Sequence, residues 1–154
     1  MAESRLDALR FLENVIFLRK FTIFAGLETG ELRALALIAR EMALIDGEYA
    51  VREGDAGDSF FIVKSGALRI VKNEGQIELA RVGRGECFGE MALFEDGLLR
   101  SADVRADGPS ILLAFQREDF FDVLNRQPGI SIELLRIFSR RLREKNDKNQ
   151  NNNG

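Results

Sequence analysis

The spacing of apolar residues changes twice along the chain and divides it into three stretches. From about Ser4 to Phe17, Leu6, Leu9, Leu12, Val15 and Ile16 recur with charges between them, which is helical spacing. Phe21, Ile23 and Phe24 follow, and Gly26-Leu27 reads as a short irregular connector. Thr29 is placed to cap a second helix whose Leu32, Leu35, Ala36 and Ala39 share one face. Both helices are expected to pack on a core and to carry no chemistry.

From Met42 short apolar segments alternate with turns rich in glycine, aspartate and asparagine. The segments are Met42–Ile45, Glu48–Arg52, Ser59–Lys64, Ala67–Lys72, Gln76–Val82, Val104–Ala106 and Ile111–Phe115. Strands at this spacing predict an antiparallel barrel or roll. Gly47, Gly54, Gly57 and Gly66 are expected to supply turn conformations that a Cβ would resist, and no chemistry.

A third texture begins at Arg117–Asn125, a short helix with Phe120, Phe121 and Leu124. Pro128 suits a helix start, and Ile132, Leu135, Phe138, Ser139 and Leu142 then make one stripe, with Arg136, Arg140, Arg141, Arg143 and Lys145 on the other faces. Two readings of this helix stand: it folds back on its own roll, or it forms a homodimer seam around Ile132–Leu142 or a mobile lid. From Asn146 on there is no apolar residue, and residues 147–154 read as a disordered tail. The whole predicts one α+β domain. Residues 1–41 form a helical segment, 42–116 an antiparallel β-roll of double-stranded β-helix or jelly-roll type, and 117–146 the C-terminal helices.

Composition narrows the chemistry. At 154 residues, with 45% hydrophobic and 31% charged residues, the chain is an ordinary globular domain. A net charge of −3 argues against a general nucleic-acid binder. The acids and bases of the N-terminus interrupt any signal-peptide core, and no run is long enough to span a bilayer, so a cytoplasmic protein without a membrane partner is expected. One cysteine and no histidine leave no internal disulfide, no zinc or iron–sulfur site, no histidine-based cupin centre and no Ser-His-Asp triad. The expectation is a protein that is not an enzyme and holds no metal or cofactor. Cys87 reads as a small buried hydrophobe.

Residues 85–106, GECFGEMALFEDGLLRSADVRA, carry the one dense cluster of candidate chemistry. Gly89 lets backbone amides at a short helical turn approach an anion, and Arg100 adds a planar donor fork suited to phosphate oxygens. Glu90 is placed to accept from a hydroxyl. Together these describe a cradle for a sugar phosphate bound whole.

The order F-G-E-x-A-L followed by R-S-A-x-V resembles the phosphate-binding cassette of the cyclic nucleotide-binding domain family. FLRKFTIFAGLETGELRALA and GEYAVREGDAGDSFFIVKSGALRIV resemble that family's helical lead-in and β-roll, and the proline-led long helix resembles the sensory half of bacterial catabolite activators. The resemblance implies that Glu90 accepts a ribose 2′-hydroxyl and that Gly89 permits close backbone contact. It also implies that amides near Met91 and Ala92 bind the cyclic phosphate, that Arg100 neutralises it, and that Ser101 adds a bond. Leu79, Lys145 and Asn146 stand where base contacts are expected. Lys145 and Asn146 depart from the threonine and serine of the catabolite activator, which leaves the base open: cyclic AMP is expected, with cyclic GMP the alternative. No helix-turn-helix follows, so direct DNA binding is not expected of this chain. The alternatives are a degenerate sensor fold acting as a structural or dimerisation unit, and a sensor fragment of a longer transcription regulator.

Overall fold

The structure, a computed structural model, describes residues 2–152. Two helices, α1 (Ala2–Phe21) and α2 (Thr29–Ile38), lead into eight strands: β1 (Arg40–Leu44), β2 (Tyr49–Val51), β3 (Ser59–Ser65), β4 (Ala67–Lys72), β5 (Ile77–Gly83), β6 (Cys87–Phe88), β7 (Asp103–Ala106) and β8 (Ser110–Gln116). Two helices, α3 (Arg117–Arg126) and α4 (Pro128–Asn152), close the fold. The strands form two antiparallel sheets of four, ordered β1-β8-β3-β6 and β2-β7-β4-β5. This is the expected β-roll with flanking helices. The two-residue β6 was not readable as a strand. Its pairing of Phe61 with Phe88 and Ile62 with Cys87 places the start of the cassette beside β3.

The core falls into two clusters. Inside the roll, Phe61, Val63, Leu68, Val82, Phe88, Val104 and Leu112 pack together. The other cluster joins roll and helices: Phe60 and Phe115 stack at 4.8 Å, Phe120 meets Phe60 edge-on at 5.3 Å, and Phe17, Leu18, Phe24, Leu32, Leu35, Ile130 and Leu134 surround them. Lys64 ties the sheet to α1 through ion pairs with Glu41 and Glu13.

Several expectations need correcting. The expected face of α1, Leu6, Leu9, Leu12 and Ile16, is more than half exposed, while Asn14, Phe17 and Leu18 are buried. The helix has apolar residues on two opposite faces, and only one can meet the domain. Phe17 and Leu18 win because the chain turns into α2 close by. Thr29 is the first residue of α2 and not its cap. Glu28 takes that place, its N–H bonding the Glu31 carboxylate at 3.0 Å, while the Thr29 hydroxyl accepts from Arg19.

The expected disordered tail, 147–154, is helical as far as Asn152, and Asn153 and Gly154 lie outside the described residues. Nothing in Asp147–Asn152 breaks a helix that α4 has already nucleated. The stripe on α4 also splits. Ile130, Leu134 and Ile137 face the core and Phe138 meets Phe94 edge-on at 5.8 Å, whereas Ile132, Leu135 and Leu142 face solvent. Both readings of the helix thus find a face: one side folds back on the domain, and the other is bare.

Candidate functional site

The site is built on the segment from β6 to β7. Gly89 adopts φ 78°, a left-handed conformation that favours glycine, and turns the chain into a single 3-10 turn, Glu90–Leu93. Leu93 and Ala92 are buried beneath that turn, which anchors it, and Met91 and Phe94 stay largely exposed. The chain then crosses Glu95-Asp96-Gly97, where Asp96 pairs with Arg117 at the start of α3, and returns through Leu99 and Arg100.

All six principal candidates, Gly89, Glu90, Met91, Ala92, Arg100 and Ser101, line one cavity of about 460 Å³. Ile70, Leu98 and Leu99 supply its apolar wall, and Cys87, Phe88 and Glu95 complete it. The Ala92 amide donates to the Gly89 carbonyl at 3.2 Å, so an anion would have to share it. Leu79, Lys145 and Asn146 are not among the residues that line it. Leu79 lies exposed on the edge strand β5, and Lys145 and Asn146 lie exposed on α4 beyond its contact with the cassette.

Arg100 is held from several sides. Its Nη2 donates to the Ser59 carbonyl at 2.7 Å, its cation sits 5.8 Å from the Phe61 ring centre, and its backbone N–H donates to the Asp55 carbonyl at 2.8 Å. A Cβ at Gly89 would come within 2.8 Å of Nη1, so that glycine serves the arginine as well as the turn. Burial lowers the Arg100 pKa, and the nearby Asp58 and Asp55 carboxylates partly restore it. Its Nε is buried without a hydrogen-bond partner. Nη1 lies on the other side, next to Gly89 on the cavity, and an anionic oxygen there would gain a charge-assisted bond from the guanidinium. The donor set therefore fits a phosphate ester.

Cys87 sits at the cavity's edge. Burial raises its pKa, the neighbouring Glu90 carboxylate raises it further, and Arg141 lowers it through charge and a side-chain hydrogen bond. Arg141 is the α4 residue that bonds Cys87, and sequence reasoning placed it among the solvated basic positions. The available signal was its spacing: Leu134, Ile137, Phe138 and Arg141 follow one another on the inward side of α4. Among the described residues no cluster of cysteine and carboxylate side chains is set to hold a metal ion, and no helix is long and apolar enough to cross a membrane.

Comparison with known proteins agrees with this geometry. Residues 42–127 match the family model of the cyclic nucleotide-binding domain. The cyclic nucleotide-gated channel alpha-2 of Bos taurus is 31% identical over 132 residues, covering 82% of this chain and 19% of the channel. The N-terminal domain of a transcriptional regulator from Streptomyces coelicolor superimposes with a TM-score of 0.73 at 34% identity, covering 85% of this chain and 93% of that one. The regulatory domain of Toxoplasma gondii PKA, solved with cAMP, superimposes with a TM-score of 0.73 at 29% identity, covering 89% of this chain and 51% of that one. The chain spans less than a fifth of the curated relatives it matches. With the cassette cavity, the two-sheet roll and the matched model in agreement, the chain belongs to the cyclic nucleotide-binding domain family.

Proposed function

We propose that this chain is a regulatory module that binds cyclic AMP in preference to cyclic GMP and passes occupancy on through α4, with no catalysis of its own. The observation that carries the proposal is the Arg100 guanidinium on the same cavity as Glu90 and the turn at Gly89, with Nη1 beside that turn. In this reading the cyclic phosphate lies against Arg100 and the turn at Gly89–Ala92, and Glu90 accepts from the ribose. Ser101, exposed at the rim, adds a donor. The apolar wall made by Ile70, Leu98 and Leu99 suits adenine, which carries fewer polar edge groups than guanine to leave unbonded. The cyclic AMP in the Toxoplasma relative supports the same choice.

Calorimetric titration with each nucleotide tests this. Saturable binding of cyclic AMP, tighter than that of cyclic GMP, is expected. No heat from either at tens of micromolar protein would rule the function out.

The output side follows from the two faces of α4. The inner face touches the cassette through Phe138 on Phe94 and Arg141 at Cys87. The outer face repeats Ile132, Leu135, Ser139 and Leu142 at intervals of three, four and three, the a and d positions of a short coiled-coil seam. Ligand moves α4 only to the extent that it binds one position of the helix better than another. A homodimer through this seam is part of the proposal. Light scattering of the parent should give twice the chain mass, and Leu135→Arg, which changes a 70% exposed residue, should give a monomer that still binds nucleotide. A monomeric parent would remove the seam from the reading.

A further inference from the structure

We propose that Gly57 is a positioning residue for Arg100, present because a side chain there would push the guanidinium from its seat. Gly57 lies in the loop between β2 and β3, which wraps the arginine. The Gly54 N–H donates to the Arg100 carbonyl at 2.8 Å, the Arg100 N–H donates to Asp55, and Ala56 forms an antiparallel bridge with Leu99. Immediately after the loop, the Ser59 carbonyl accepts from Nη2.

A Cβ at position 57 would lie 2.5 Å from Nε, 2.6 Å from Nη2 and 2.8 Å from Cζ of Arg100. These distances are too short for non-bonded atoms. Backbone conformation is not the reason for the glycine, since Gly57 is absent from the positive-φ residues. Gly54 shows the contrast, with φ 86° and nothing within 4 Å of a Cβ. Two glycines three residues apart in one loop thus answer to different demands: Gly54 to the turn, Gly57 to the arginine.

What a methyl at position 57 meets is the far end of a flexible side chain. The fold can absorb it by letting the guanidinium move, which breaks the bond to Ser59 and takes Nε out of its buried place in the site. Stability is kept and phosphate binding is weakened. This rests on the reading of Arg100 as the phosphate-binding arginine, so one readout is chosen that needs no ligand.

The test compares the parent, Gly57→Ala, Gly54→Ala, Arg100→Ala and the double variant Gly57→Ala/Arg100→Ala. Measurements are cyclic AMP titration, thermal unfolding without ligand, and solvent exchange of the Arg100 Nε–H signal by NMR, assigned from its loss in Arg100→Ala. Gly57→Ala is expected to keep the parent's melting temperature, to lose about tenfold in affinity, and to expose Nε–H to faster exchange. The double variant is expected to bind no worse than Arg100→Ala alone, because the two changes act through one group. Gly54→Ala is expected to lower the melting temperature while leaving Nε–H exchange slow. A melting temperature that falls in Gly57→Ala, unchanged Nε–H exchange there, or an equal affinity loss with and without Arg100 overturns the proposal. Failure of the parent to bind either nucleotide overturns the proposed function, and the exchange measurement still decides the role of Gly57.

Discussion

Arg100→Ala should weaken cyclic AMP binding by roughly ten- to a hundredfold, the loss of one charge-assisted contact of about 1.5–3 kcal/mol. The guanidinium is the one cation among the residues that line the cassette cavity. It is already half removed from water, with one nitrogen on Ser59 and Nε unpaired. Part of its desolvation is therefore met in the folded protein before ligand arrives, and an anion on the cavity adds a charge-assisted bond. Arg100→Lys should recover only part of the loss, because an ammonium cannot hold the Ser59 carbonyl and a phosphate oxygen with a planar fork. Removing Arg100 also takes a buried unpaired donor away, so the ligand-free variant should be no less stable than the parent. Titration and thermal unfolding of the same samples check both halves. An Arg100→Ala variant that binds as tightly as the parent would remove the site assignment.

The largest expected effect on stability is from Phe60→Ala, about 3–5 kcal/mol. Phe60 is 2% exposed and sits where the sheet meets the helices. It stacks on Phe115 of β8 at 4.8 Å, meets Phe120 of α3 at 5.3 Å and approaches Phe24 of the α1–α2 connector at 6.4 Å. Truncation leaves a cavity bounded by three other rings that belong to different elements, and no single rotamer change fills it. Against a net stability of roughly 5–15 kcal/mol for a domain, that is a large share. Urea unfolding should place the midpoint well below the parent's. A shift below about 1 kcal/mol would mean that the helices close over the gap, and that this second cluster is less rigid than its packing implies. Phe60 is adjacent to Ser59, whose carbonyl holds Arg100, so affinity at a temperature where the variant is folded separates a local effect on the site from a global one.

Much of the candidate site was legible because it is local. Gly89, Glu90 and Arg100 lie within a dozen residues, and their turn is governed by a glycine and two buried apolar residues beside it. The strands were legible from alternation and turn residues, with β6 the exception because two residues carry no period. The support of Arg100 was not legible. Ser59 stands 41 residues before it, and Gly57 read as one turn glycine among several. The placing of α4 along the cassette was not legible either. The α4 residue that bonds Cys87 is Arg141, one turn before Lys145.

Local spacing was therefore enough for the order and type of the elements and for an antiparallel barrel or roll with flanking helices, and the motif order in residues 85–106 for the family. These depend on helical and strand periods and on residues a few positions apart. Only the folded chain settled which of two apolar faces α1 turns inward, which side of α4 stays bare, which arginine of α4 bonds Cys87 and that Gly57 lies against Arg100. Those outcomes depend on the crossing of helices and the register of loops far apart in sequence, where one turn of helix or a few ångströms exchanges a solvated side chain for one in contact with the cassette.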